Sequence, residues 1–250
     1  PRISTRRIAP IAIRKANVIP KTSVKNIAAP QRQSRLATQN PVNTLKPIQL
    51  MCGGDYKLGI NALAVGQRHD DVERSGVILL KDYGYDEPGK PGSRYAVILG
   101  HDANLDFWNF QAGKCEKSHK YTTETAKDEL YEETGGAVKM TAKELSHQPY
   151  IYSAQKQLFF VRNDQLSVNN IKQACLKARS NFKLPHSQRE VDNVAAVSLP
   201  DLLKVAENIR QQNIRQSRYT LYSRIEGYRL DMEGYYMRMI ANRLPEVRQI

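Results

Sequence analysis

Glu129, Glu132 and Glu133 stand at i, i+3 and i+4 in the segment TTETAKDELYEETGG (122–136), whose pattern predicts a helix with all three carboxylates on one face. Thr122 is placed to cap that helix, Glu124 suits its first turn, and Gly135 with Gly136 can end it in a left-handed conformation. Ala126 and Leu130 fall on the opposite side and are expected to face a sheet. Three like charges at that spacing repel, and a hard cation removes the conflict. Mg²⁺ takes oxygen ligands, keeps several waters and is held by a few carboxylates together with substrate phosphates. The competing reading is a solvated acidic helix face, since glutamates are common on exposed helices.

The surroundings favour the metal. WNFQAGKCE (108–116) followed by AKDELYEETG (126–135) resembles the Nudix box, Gx5Ex7REUxEExGU with U aliphatic, and the aromatic strand before it. The match is close at Glu129, Leu130, Glu132, Glu133 and Gly135, and at Gly113 where the box begins. SQREVDNVAAVSLPDLL (187–203) and two strands upstream look like the family's flanking elements, so the resemblance covers residues 75–205. It departs in three places. Counted from Gly113, the early acid of the box falls at His119 or Lys120; its arginine is Asp128, with Lys127 one place earlier; and Gly136 replaces an aliphatic residue.

The resemblance implies a hydrolase: a metal-dependent pyrophosphatase that cleaves the pyrophosphate linkage of a nucleoside diphosphate derivative, with Mg²⁺ or Mn²⁺ as cofactor. Carried over by position, Glu129, Glu132 and Glu133 are the metal ligands, with Glu133 also catalytic and Glu116 a further carboxylate. Family members draw the catalytic base from the loop before the last strand, where Glu190 stands, or from the box itself. Two alternatives remain open: a weakly active or inactive Nudix-like scaffold that binds nucleotide or RNA, and a pyrophosphohydrolase acting on RNA caps or ends.

Substrate choice is encoded weakly. The stretch SHQPYIYS (146–153) is similar to the Gln-Pro-aromatic element of NADH pyrophosphatases, and Tyr150 and Tyr152 on that strand could stack on a purine or pack in the core. Arg94 and Lys114 are candidates for binding phosphate oxygens. His101 with Asp102, and His69 with Asp70 and Asp71, lack a second ligand set at recognisable spacing and read as loop residues. Neither GxGxxG nor GxxxxGK[ST] occurs, which leaves dinucleotide-fold and P-loop readings without support.

The elements that must hold the helix follow from periodicity. Residues 76–81 and 95–99 read as two strands joined by a polar turn at 82–93, and 106–111 as a third. Strands are expected at 149–153, 157–162 and 191–197, with a helix near 170–180. Mixed strands and helices without strict alternation point to an α+β fold, an α/β/α sandwich around a mixed sheet in the Nudix manner. From Pro200 the chain reads as helical, with Tyr222, Ile225, Tyr228, Met232, Tyr235 and Met239 forming a stripe that covers the sheet or supports a homodimer. Gly227 and Gly234 weaken the case for one unbroken helix there.

The net charge of +13 is concentrated at one end: residues 1–54 hold ten Lys/Arg and no Asp or Glu, leaving 28 basic against 25 acidic residues elsewhere. Six of the twelve prolines fall in the first 50 residues, which with few large apolar side chains reads as an extended basic N-terminal arm. It could tether RNA or another polyanion, serve as a mitochondrial targeting peptide, or be a solvated tail. The expected organisation is therefore an arm at 1–54, a Nudix-like domain at 55–205 and a helical extension at 206–250. Cys52, Cys115 and Cys175 are far apart with no CxxC pair, so reduced thiols in an intracellular, most simply cytoplasmic, protein are expected. No apolar run approaches the roughly 20 residues needed for a membrane span.

Overall fold

The computed structural model describes residues 72–83, 92–213 and 215–249. The arm at 1–54, the beginning of the expected domain, Cys52, His69 to Asp71 and the turn residues 84–91 lie outside them. The architecture is mixed α+β around one mixed sheet.

Strands β1 (Arg74–Asp82) and β2 (Tyr95–Asp102) are antiparallel, but they pair only at one end, from Leu79↔Ile98 to Asp82↔Tyr95. Toward the other end they diverge, and the short strands β3 (Phe107–Asn109) and β4 (Gln111–Lys114) fill the wedge. There β3 pairs with β2 while β4 pairs antiparallel with β1, setting Ser75 opposite Gly113 and Arg74 opposite Lys114. The extended stretch expected at 106–111 is thus two strands. Gly76 permits the close packing, since a Cβ there would lie 2.1 Å from that of Ala112.

After β4 the chain forms α1 (Thr122–Glu133), α2 (Ala142–Ser146), β5 (Tyr150–Ser153), β6 (Lys156–Arg162), α3 (Val168–Ser180), β7 (Val191–Ser198) and α4 (Leu199–Gln212). β6 runs parallel to β1 and β7 antiparallel to β2. One face of the sheet, with Val77, Leu79, Ala96 and Ile98, is covered by Ala126 and Leu130 of α1 and by Ile171 and Cys175 of α3, as the period of α1 predicts. The other face, with Ile78, Leu80, Val97, Leu99 and Phe110, receives Leu202, Leu203, Ala206 and Ile209 of α4.

The C-terminal expectation is corrected. Residues expected to form a helical stripe make an antiparallel hairpin of β8 (Arg218–Ser223) and β9 (Tyr228–Glu233), and only then α5 (Gly234–Asn242) and α6 (Leu244–Val247). In β8 the alternation decides: Tyr219, Leu221 and Ser223 point inward, while Arg218, Thr220 and Tyr222 are exposed. Gly227, at φ +78°, lies in the connection. Tyr222, Ile225 and Tyr228 are therefore exposed and share no face with Met239, which is buried on α5. The hairpin joins the sheet through a parallel contact of β9 with β3 at Met232↔Trp108. Residues 206–250 thus form part of the same sheet and core, within one compact unit.

Tyr236 of α5 ties this segment to the wedge. Its ring is fully buried edge-on against Phe110, and its hydroxyl donates to the carbonyl of Ala112 at 3.0 Å. Tyr236→Phe keeps the ring but strands a buried acceptor, and it is expected to lower the unfolding free energy by about 1–2 kcal/mol in urea titration. A change below a few tenths would show that the bond does not hold β4.

Candidate functional site

α1 is seated on the wedge by features at both of its ends. At its start, Thr122 proves not to be the cap: the N-cap position is Tyr121, and the Glu124 carboxylate accepts from the Tyr121 N–H at 2.9 Å. Thr122 is buried one residue further on and donates its hydroxyl to Gln157 of β6. At its end, Gly135 and Gly136 adopt φ +59° and +79° as expected, and Gly135 also lets α3 approach. A Cβ on Gly135 would lie 2.5 Å from the Ala174 carbonyl carbon.

Between those ends the glutamates meet β4. Glu129 lies over Gly113, where a Cβ would fall 2.0 Å from Oε1, so the absence of a side chain makes room for the carboxylate. One turn on, the Ala112 N–H donates to Glu133 Oε2 at 3.2 Å. Glu129, Glu132 and Glu133 are each partly buried. Burial pushes the Glu129 carboxyl up to about 8, reinforced by Glu132 and Glu190 and opposed by the Arg74 guanidinium. Glu133 is held well above the usual carboxylate range by burial and by Glu129, with the Ala112 N–H acting against them and Glu190 and Asp102 adding to the rise. Three elements thus bring carboxylates to one region beside β4: α1, the end of β2 through Asp102, and the loop before β7 through Glu190.

Glu190, the sequence candidate for the base, is one of the groups whose charge reaches both glutamates, and its carboxylate lies 3.1 Å from Nδ1 of His186. The other candidates fare differently. Glu116 is exposed and accepts from Ser118, so it engages its own turn rather than the helix. Lys114 is exposed at the end of β4, opposite Arg74. Arg94 sits at the far end of β1, roughly 25 Å along the strand at about 3.3 Å per residue, where it pairs with Asp82 beside Arg162 and Asp164. That network uses the guanidinium structurally, so Arg94 is not part of the glutamate site. Tyr150 is 2% exposed with its ring against Phe159, in the core beneath α1, and offers no face to a ligand. Tyr152 packs partly buried at the edge strand, where its carbonyl accepts from Arg243.

Two contributors were missed: Arg74 carried no sequence signal, and Asp102, read with His101 as a loop residue, ends strand β2 instead. Arg74 and Asp102 reach the site only because β1 and β2 diverge around β3–β4. Arg74 also lies over the Tyr235 ring at 5.2 Å, with Lys156 over the same ring at 4.9 Å. Beside Asp102 and Glu190, a cleft of about 410 Å³ is lined by His101, Trp108, Lys172, Asp192 and Asn193. His101 is held there by Asp192 at 2.7 Å and lies 5.1 Å from the Trp108 ring.

Two of the three positions at which the sequence departs from the pattern it resembles are partners. His119 Nε2 lies 3.1 Å from Asp128 Oδ2, and His119 Nδ1 2.9 Å from the Thr125 hydroxyl. Where the box has an acid and an arginine, this chain sets a base and an acid, with the polarity reversed. Lys127 pairs with Asp128 from the other side at 2.9 Å.

The donor set is all oxygen, crowded and like-charged, which suits Mg²⁺ or Mn²⁺ in kind. Among the described residues, no three Asp, Glu, His or Cys side chains are gathered closely enough to hold one ion as they stand. Ligation would therefore require the glutamate side chains to turn toward a common point. Cys115 and Cys175 are unpaired thiols, and burial pushes Cys175 up to about 12, which makes it a packing residue. No protein-family model matches the chain, and no curated protein matches it.

Two outcomes follow from this geometry. A carboxyl with a raised folded pKa binds its proton more tightly folded than unfolded, so Glu129 favours the fold most below the ordinary carboxylate pKa of 4.5 and loses that contribution as pH climbs through about 8. In chelator-treated protein the unfolding free energy should fall across that window by on the order of a few kcal/mol. Glu129→Gln should flatten the slope in urea titrations at stepped pH, and an unchanged slope would refute the assignment. For the reversed pair, His119→Glu alone sets two acids together and should cost about 1 kcal/mol or less after solvent screening. Adding Asp128→Arg should recover most of that loss in a double-mutant cycle, and strict additivity would mean that the two side chains do not interact.

Proposed function

We propose that this chain is a Nudix-type pyrophosphohydrolase, cleaving the pyrophosphate linkage of a nucleoside diphosphate derivative with the help of Mg²⁺ or Mn²⁺. The observation that carries the reading is the Glu129–Glu133 pair, two carboxylates one helical turn apart set against β4, Glu129 over Gly113 and Glu133 at the Ala112 N–H, both raised by burial and neighbouring carboxylates. Glu129, Glu132 and Glu133 would hold the cation, which when bound neutralises and orients the diphosphate.

The remaining parts are this chain's own. Hydrolysis adds water to one phosphorus, breaks its bond to the bridging oxygen and leaves the electron pair on the departing phosphate, so the water must surrender a proton. Glu190 is the carboxylate disposed to take it, lying on a different element from the metal-holding helix and within electrostatic reach of both glutamates. Arg74 brings a guanidinium to the same edge, where it can draw on phosphate oxygens. The cleft beside Trp108 and His101 gives room for the nucleoside.

A second reading, nucleotide or RNA binding without turnover, is favoured by the reversed His119–Asp128 pair and by the lack of a ready three-ligand group among the described residues. RNA end-processing is a variant of the first reading in which the basic residues at 1–54 add affinity.

The decisive measurement offers ADP-ribose, NADH, diadenosine polyphosphates, nucleoside triphosphates and capped RNA with Mg²⁺ or Mn²⁺ to the full chain and to Glu133→Gln. Turnover of at least one substrate, reduced on the order of 10²-fold or more in the variant with its thermal unfolding intact, is the expected result. Binding without turnover in both proteins would overturn the enzymatic reading in favour of the scaffold.

A further inference from the structure

The charge pattern on the other face of the sheet is the reverse of that at the glutamates. Arg210 near the end of α4, Arg215 in the link to β8 and Arg238 on α5 line one cavity of about 180 Å³. No acidic side chain lines it, and none of the three arginines makes an ion pair with a carboxylate among the described residues. Nearby arginines behave otherwise: Arg218 faces Asp106, Arg224 pairs with Asp201 and Arg248 with Glu207. What distinguishes these three is that they are gathered on one cavity.

Ile209 and Ala241, both buried in the core, also line the cavity and anchor it on the packing of α4 against α5. Arg238 is half-buried and fixed by donating to the Gln216 carbonyl, which leaves the rest of its planar fork of donors available. The amides of Asn213 and Asn242 add neutral donors at the rim. Asn213 is itself constrained, holding a left-handed conformation at φ +49° where α4 ends. Mutual repulsion of three guanidiniums is relieved by a compact anion with several acceptor oxygens, and arginine's fork matches phosphate geometry.

We infer that Arg210, Arg215 and Arg238 form a second ligand site that takes a phosphate group, separate from the glutamate cleft. Size fixes the class further. Pockets enclosing a drug-sized ligand run to about 300–1,000 Å³, so this cavity admits a phosphoryl group and little more of what carries it. The ligand is inorganic phosphate or the terminal phosphomonoester of a larger molecule. The site does not depend on hydrolysis, and a chain with no activity at all would still possess it. None of its arginines is among the charges that bear most on Glu129 and Glu133, which include Arg74 instead.

The test is calorimetric titration of the full chain at constant ionic strength, in chelator, with inorganic phosphate, with a short 5′-phosphorylated RNA and with the same RNA bearing a 5′-hydroxyl. Wild type and Arg229→Gln, an exposed change on β9 away from both sites, should bind phosphate saturably and alike. Arg215→Gln, an exposed change that spares the core, and Arg238→Gln should each weaken binding tenfold or more. Tighter binding of the phosphorylated RNA than of free phosphate, lost in Arg215→Gln, identifies a chain end as the ligand; equal affinities identify phosphate itself. No saturable binding by wild type overturns the inference. So does a loss in Arg229→Gln equal to that in the pocket variants, or phosphate binding that Arg215→Gln and Arg238→Gln leave unaffected.

Discussion

The structure turns on the confinement of two like-charged carboxylates between α1 and β4. Glu129 and Glu133 are one helical turn apart, and each must occupy space that the neighbouring strand concedes: Glu129 over the bare backbone of Gly113, Glu133 against the N–H of Ala112. Neither concession exists without the wedge. If β1 and β2 paired along their full length, β4 would have no place, and α1 would rest its acidic face on a continuous apolar sheet. Divergence of β1 from β2 after Leu79↔Ile98 is thus what converts an ordinary sheet-covering helix into the wall of a cleft. Leu130 and Ala126 hold the helix down by apolar burial, and that burial supplies the free energy against which the charges are crowded.

The His119–Asp128 pair ties the loop that enters α1 to the helix itself. A helix preceding a carboxylate cluster needs its first turns fixed to the loop that enters it, and any two groups of opposite tendency can do this. His119 and Asp128 are 3.1 Å apart, and the Thr125 hydroxyl orients the other imidazole nitrogen. What changes is the local charge. An arginine adjoining Glu129 would lower the cost of ionising it, whereas Asp128 is among the groups that raise it. Arg74, arriving from β1, is the guanidinium that acts in the favourable direction.

The extent to which this was readable in the sequence follows the range of each interaction. α1 and its end at Gly135 and Gly136 were legible because helical period and positive-φ glycines are local facts. The gathering of Glu129, Glu132 and Glu133 on one face, and the sheet-facing side of Ala126 and Leu130, came from the same period. Arg74 and the role of Asp102 were not legible, because strand pairing between distant segments brings them in, Arg74 opposite Lys114 and Asp102 opposite Val191. Arg94 looked free only until the partner at Asp82 came into register. Tyr150 showed the limit of period two, which separates faces but does not say which is buried. The stripe from Tyr222 to Met239 failed for a related reason. Spacings of three and four can be drawn through an alternating hairpin with a glycine turn, and in β8 the alternation of Tyr219, Leu221 and Ser223 was the pattern that mattered.

Clusters of one sign are expensive, and a fold normally dilutes them, as Asp82, Arg94, Arg162 and Asp164 do at the far end of β1. That network is self-compensating and needs nothing from outside. At the cleft, Arg74 acts against the rise in Glu129, yet burial and the neighbouring carboxylates prevail and leave the carboxyl near 8. Among the described residues, no carboxylate lines the arginine cavity. The contrast within one molecule separates charge used to fasten the sheet from charge held in reserve. Packing alone gives no reason to prefer an uncompensated cluster to a salt-bridged one, because the apolar contacts of Leu130 or Ile209 would be the same in either case. A ligand of opposite charge, present only part of the time, is the arrangement under which leaving the fold's own electrostatics incomplete is an advantage.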